Sequence, residues 1–355
     1  MHIPDGYLSP ATCAVMYAGA APFWYVALRQ LRRRLSTRLV PLISVFSAFS
    51  FVVMMFNLPL PGGTTGHAVG VGLATTVLGP WASILAISVA LAIQAVFFGD
   101  GGITALGANC FNMAIVGSLV AWGVLRLASA GAAPESRRRV FAAALAGYVA
   151  INASALCAAV EFGVQPALFH DAAGVPLYAP YRLGIAIPAM MLGHLTIAGL
   201  AEAVISGGVV AFLQRGRSSI LPGNIPALAA ASSSSRVQPR LAAVLSLLLF
   251  CTPLGVLAVG SAWGEWSARE FGDPAARQRI AQSSGNQAPP DVLPKGMQHL
   301  ASVWSAPFPD YAPRFIRSQK LGYMLSGMFG AGIILGGSLL AQSLLRIGRR
   351  QERPR

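Results

Sequence analysis

Runs of about twenty apolar residues recur along the whole chain, broken by short clusters of arginine, and that alternation leaves few folds open. About 20 apolar residues suffice for a helix to cross the hydrocarbon of a bilayer. The runs fall at 10–29, 39–57, 66–78, 81–98, 109–129, 140–162, 182–212, 241–260 and 321–345, the third of them short and parted from the fourth by Gly79-Pro80. Charged residues make up 11% of the chain and hydrophobic ones 55%, whereas soluble chains average about 25% charged. The sequence therefore reads as an all-α, polytopic membrane protein.

The arginines test the count of spans. Arg29, Arg32, Arg33, Arg34 and Arg38 follow the first run; Arg126 and Arg137 to Arg139 the fifth; Arg215, Arg217, Arg236 and Arg240 the seventh; Arg346, Arg349, Arg350, Arg353 and Arg355 the ninth. Nine crossings place all of these clusters on one side, which the positive-inside bias makes cytoplasmic. The N-terminus then lies outside and the C-terminus inside. The net charge of +14 is thus a topology signal and not a nucleic-acid stripe. Cys13, Cys110, Cys157 and Cys251 stand singly in apolar segments, so neither a disulfide framework nor a thiolate metal site follows.

The chain starts Met1-His2. A histidine at position two brings a primary amine, a backbone amide nitrogen and an imidazole Nδ1 within reach of one cation, closing a five-membered and a six-membered chelate ring. With the amide deprotonated the three nitrogens lie nearly in a plane, a set suited to Ni(II), Cu(II) or low-spin Co(II). His67, in Gly62-Gly63-Thr64-Thr65-Gly66-His67, is the candidate for the fourth nitrogen, because the loop 57–66 emerges on the same side as Met1. The alternatives are a frayed terminus for His2 and a helix-interface hydrogen bond for His67. Ile3-Pro4-Asp5-Gly6-Tyr7 is turn-forming, and no charged n-region or small-residue cleavage site precedes the first apolar run, so the terminus is expected to be kept.

Glycines 62, 66 and 70 recur every four residues, a spacing that lets another backbone, here the chain terminus, approach closely. A second glycine-rich outer loop, Phe98-Gly99-Asp100-Gly101-Gly102, leads to Asn109 and Asn112. Those amides either orient the metal-bound imidazoles from behind or cap a helix. His170-Asp171 and His194 read as structural, while Glu202 is a carboxylate inside an apolar run and so a functional candidate. Residues 214–240, rich in Ser, Gly, Pro and Ala, read as a flexible linker. Beyond it, 241–355 forms a second module: two spans around an outer loop rich in tryptophan, proline and charge.

Met1-His2-Ile3-Pro4-Asp5-Gly6-Tyr7-Leu8-Ser9, Gly63-Thr64-Thr65-Gly66-His67 and Gly101-Gly102-Ile103-Thr104-Ala105-Leu106-Gly107-Ala108-Asn109 together resemble the CbiM/NikM family. Its members are substrate-capture (S) components of cobalt and nickel uptake transporters of the energy-coupling-factor type. The resemblance covers residues 1–213 and implies a seven-helix bundle with the N-terminal strand tucked inside. It also implies a planar site built from the Met1 amine, the His2 amide and ring, and the His67 ring. Residues 241–345 are similar to the two-span NikN/CbiN partner, here fused, through Thr252-Pro253-Leu254-Gly255 and Ala262-Trp263-Gly264-Glu265-Trp266. The implied partners are a transmembrane coupling (T) subunit and ATP-binding (A) subunits, and the implied location is the cell inner membrane, with a link to cobalamin biosynthesis. No Walker A sequence is present, which puts ATP hydrolysis in other chains.

On this reading the chain is not an enzyme and holds no permanent cofactor; Ni(II) or Co(II) is its substrate. Binding releases protons, so affinity falls as pH drops. A planar set disfavours Zn(II), which prefers a tetrahedron, but does not exclude copper. Ala14 with Ala18, or Ser44 with Ala48, offer small-residue faces for the coupling subunit. Two rivals remain: a capture component for an organic vitamin, and an intramembrane metalloenzyme, which needs an open metal position and a base. No His-Glu-x-x-His motif supports the latter.

Overall fold

The computed structural model describes residues 1–34, 39–133, 135–215, 237–258, 260–313 and 315–351. Most of the linker expected at 214–240 lies outside these residues. The described residues are mostly helical. Its main elements are α1 (Pro10–Arg34), α2 (Leu39–Met54), a hairpin of β1 (Leu58–Leu60) and β2 (Thr64–Gly66), and α3 (Val71–Leu78). Then come α4 (Pro80–Phe98), α5 (Leu106–Ala128), α6 (Arg137–Leu168) and α7 (Leu183–Arg215), and in the C-terminal module α8 (Val237–Cys251) and a terminal α9 (Gln319–Gln351), with short helices between those two.

Six helices among the described residues are long and apolar enough to cross a membrane, and Val40–Met54 and Ala243–Val256 are shorter apolar helices. The run 66–78 does not form a spanning helix. Its helical part has 8 residues, which rise about 12 Å, less than half of a hydrocarbon core of about 30 Å. The remainder, 66–70, is non-helical yet buried, so by hydropathy it joins the helix in one apolar run.

That short segment is pinned at its start. Glu202, fully buried on α7, accepts from Val69 N at 2.7 Å, Gly70 N at 2.8 Å, Gly72 N at 3.1 Å and Ser206 Oγ at 3.0 Å. The first amides of a helix lack partners within it and carry its positive end. One carboxylate satisfies them here, which fixes where the chain departs after His67. Gly72 lies so near α6 that a Cβ would sit 2.5 Å from Gly147 Cα.

The chain keeps returning to one end of the bundle. His67 and Asp100, the two ends of the α3–α4 excursion, both meet His2; Gln165, at the end of α6, meets Ser9; Glu265, beyond α8, meets Met1. Arg126, Arg137 and Arg215 lie at the far ends of their helices. Of the small-residue faces, Ala14 and Ala18 are exposed on α1. Ser44 and Ala48 are instead buried, at 5% and 0% exposure, because α2 packs on α4 and α9, so they present no free face.

Candidate metal centre

The opening motif is bonded along most of its length. Ile3 is gripped on both backbone groups by Asn109, its N–H donating to Oδ1 at 2.8 Å and its carbonyl accepting from Nδ2 at 3.1 Å, and Gly102 N donates to the same carbonyl at 2.8 Å. Pro4 and Gly6 turn the chain, Gly6 at φ 90°. The Asp5 carboxylate accepts from Ile103 N at 3.1 Å, from Thr104 N at 2.7 Å and from the Thr104 hydroxyl. Tyr7 donates from its hydroxyl to Trp266 O at 2.7 Å, and its carbonyl accepts from Ala179 N at 3.0 Å. Ser9 receives Thr12 N on its hydroxyl at 3.0 Å, the bond expected of a residue opening a helix. A terminus held at so many points is not frayed; Met1 is 2% exposed and His2 1%.

The glycines that admit this strand are not those of the 62, 66, 70 series. A Cβ on Gly66 would meet Leu60 and one on Gly70 would meet Phe49, whereas a Cβ on Gly102 would lie 2.4 Å from Asp5 N. At Gly101, φ is +79° and a Cβ would lie 2.9 Å from Asn109 Nδ2 and 3.4 Å from His2 Cδ2. Gly99 takes the left-handed conformation at the end of α4, as helix-ending glycines do, and turns the next residue, Asp100, toward His2.

The two histidines meet. His2 Nδ1 lies 3.2 Å from His67 Nε2, with ring centroids 4.8 Å apart. His67 Nδ1 lies 3.0 Å from Ala68 O; since a carbonyl only accepts, that nitrogen carries the proton and Nε2 presents its lone pair to His2. Burial, then the neighbouring charge of the Met1 amine, pull His67 well below the ordinary histidine range, so the ring is neutral. Asp100 Oδ1 lies 3.0 Å from the same His2 Nδ1. The Asp100 carboxyl is pushed up by burial, but the His2 charge and hydrogen bond outweigh this and hold it below its usual range. Asp100 Oδ2 in turn accepts from Tyr311 Oη at 2.5 Å and from Gln94 Nε2 at 3.2 Å.

Three donors thus converge on the space where the His2 Nδ1 proton sits. With metal–nitrogen bonds of about 2.0 Å, the length for imidazole on zinc, adjacent corners of a square lie about 2.8 Å apart; the 3.2 Å between the imidazole nitrogens fits a cis pair. The Met1 amine and the His2 amide are covalently tied to the same corner. Ligand atoms of His2, Asp100 and Glu265 lie within 4.8 Å of one another. The corner opens into a cleft of about 450 Å³ lined by Asp5, His67, Asp100, Glu265 and Asp310, among others.

The asparagines serve other ends than orienting imidazoles. Asn109 holds the Ile3 backbone, and Asn112 Nδ2 donates to Glu161 Oε2 at 2.8 Å. His194 is buried, with Nδ1 at 2.8 Å from Met190 O, and His170 bonds its neighbour's carbonyl. Glu202 acts on the backbone after His67. Asp100 and Glu265 stand against His2 and Met1, which the sequence pattern does not signal for Glu265. The only sequence signal for Asp100 was its position as the sole carboxylate in a glycine-rich loop.

The family model for CbiM, the cobalt uptake substrate-specific transmembrane region, matches residues 2–220, and that for the PDGLE domain matches residues 238–347. A fused nickel transport protein NikMN of Rhodobacter capsulatus is 56% identical over 351 residues, 99% of each chain. A probable fused nickel transport protein LarMN of Lactiplantibacillus plantarum is 40% identical, covering 94% of this chain and 95% of that one. A cobalt transport protein CbiM of Geobacter sulfurreducens is 32% identical over 73% of this chain and 72% of its own. The crystal structure of a truncated transition metal transporter superposes with a TM-score of 0.58 at 52% identity, covering 61% of this chain and 99% of the other.

Proposed function

Because the chain belongs to the CbiM family of cobalt uptake substrate-specific transmembrane proteins, we propose that it is the substrate-capture (S) component of an energy-coupling-factor transporter. In this reading it binds Ni(II) or Co(II) outside the cell through the Met1 amine, the His2 amide and Nδ1, and His67 Nε2. The relatives aligned over nearly its whole length are named for nickel, which favours nickel as the cargo. Residues 1–213 form the capture module, 214–240 a linker, and 241–355 a fused NikN/CbiN-like module.

The observation that carries this reading is the 3.2 Å approach of His2 Nδ1 to His67 Nε2, 65 residues apart in sequence, in the same buried corner as the Met1 amine. The ion takes the place of the proton between the two rings. His2 then carries its proton on Nε2, a buried nitrogen with no hydrogen-bond partner among the described residues. The amine and amide release protons as well, so binding weakens with falling pH. Arginines at the bundle end opposite the site support an outward-facing site under the positive-inside bias. ATP hydrolysis belongs to separate A subunits, coupled through a T subunit that tilts this chain and opens the site inward.

Equilibrium dialysis of the purified full chain against Ni(II), Co(II) and Zn(II) tests the reading. The expected result is one tightly held Ni(II) or Co(II) per chain and much weaker Zn(II). Equal retention of zinc, or no retention of nickel and cobalt, contradicts it.

A further inference from the structure

The C-terminal module reaches the Met1 amine through Glu265. Glu265 Oε1 accepts from the Met1 ammonium at 3.0 Å; the Met1 side chain is fully enclosed and that of Glu265 is 19% exposed. Glu265 N donates to Ala262 O at 3.0 Å, closing a turn. Ala262 is bridged to Thr65, and Thr65 N donates to Ser261 O at 3.3 Å. The turn is thereby stitched to β2, the strand that leads into His67. On either side of Glu265, Trp263 and Trp266 are buried edge-to-face against each other with centroids 5.4 Å apart. Trp263 Nε1 donates to Ser284 Oγ at 3.0 Å, and Trp266 O receives the Tyr7 hydroxyl. The backbone bearing this carboxylate is therefore fixed to the elements that carry the two histidines.

The Met1 amine is the nitrogen that needs such help. The His2 amide is set by its peptide plane, His2 Nδ1 is faced by Asp100, and His67 is oriented by Ala68 O. The amine stands at the chain's end, with no peptide bond beyond it. An ammonium has three N–H bonds; after giving one proton to bind a metal it keeps two. A carboxylate that accepts one of them in both states can hold the nitrogen in place before and after binding, as carboxylates do for metal-bound imidazoles.

We infer that Glu265 is a positioning residue for the metal site: the fused C-terminal module supplies the carboxylate that aims the α-amine of the capture module at the ion. This rests on the reading that Met1, His2 and His67 are the ligands, and the test separates the two. Nickel binding is measured by equilibrium dialysis on the full chain, and the nickel X-ray absorption spectrum recorded, for the unaltered protein and for Glu265→Gln, Glu265→Asp and His67→Ala. Glu265→Gln keeps size and shape while removing the charge. Its affinity is expected to fall about 10- to 100-fold, the usual loss when an orienting partner is removed, with a weakened planar signature; Glu265→Asp restores part of both. Unchanged affinity in Glu265→Gln, or weaker binding with an unchanged spectrum, overturns the inference. If His67→Ala loses nickel while Glu265→Gln does not, the proposed function stands without it. If the unaltered protein binds no nickel, the proposed function falls and takes the inference with it.

Discussion

A single glycine added ahead of Met1 is expected to abolish high-affinity nickel binding. The extension turns the primary amine into an amide nitrogen, which, like that of His2, can bind only after losing its proton, and it moves the free amine one residue away from the corner. It also separates the Met1 nitrogen from its partner, since Met1 is 2% exposed and that nitrogen lies 3.0 Å from Glu265 Oε1. The strand cannot slide back to make room, because Ile3 is bonded to Asn109 and Gly102, and a Cβ on Gly102 alone would stand 2.4 Å from Asp5 N. Loss of a ligand together with displacement of its neighbour should exceed the roughly 10- to 100-fold cost of disturbing a supporting partner. Equilibrium dialysis before and after proteolytic removal of the added residue is the measurement, with binding restored by the cleavage. A vitamin-binding pocket or a water-activating metal centre would tolerate the extension, so undiminished binding would point away from a terminal chelate.

Replacing His67 by alanine should cost about as much, and for a reason that can be told apart. On the proposed ligand set, the change removes the one donor that comes from outside the terminal dipeptide. It leaves Met1 and the His2 backbone where the Asn109, Asp5 and Tyr7 contacts hold them. The remaining amine, amide and Nδ1 still chelate, so weak binding should persist, while the planar nitrogen set loses its fourth corner to solvent. Dialysis is expected to show nickel affinity reduced by about 100-fold or more, beyond the range for a supporting partner. His170→Ala, at an exposed loop position bonded to Asp171 O, should bind as the unaltered chain does. Equal affinity in His67→Ala would remove His67 from the ligand set.

The meeting of His2 and His67 beside the chain terminus was legible in the sequence because the chemistry that suggested it is local or nearly so. Met1-His2 carries three donors in two residues, and topology put His67 on the same side. The long spans were legible for the same reason, since an apolar run such as 140–162 states its own structure, here the helix Arg137–Leu168. What could not be read depended on contacts distant in sequence. The run 66–78 is apolar because it is buried by α6 and α7, and its extended start exists because Glu202, some 130 residues away, accepts its amides. The glycine series at 62, 66 and 70 has a familiar packing spacing, yet Gly101 and Gly102 are the ones against the terminal strand. Asn112 stands one helical turn from Asn109, but the turn carries it to Glu161. Glu265 lies 264 residues from the amine it holds, and no local pattern marks such a pair.

X-ray absorption spectroscopy of the nickel-loaded full chain with its native start addresses the ligand set without any substitution. Four nitrogen donors in a planar arrangement, including imidazole scattering from two rings, is the expected result. A tetrahedral or octahedral nickel bound mainly by oxygen would mean that the amine, the amide and the two histidines do not form the site.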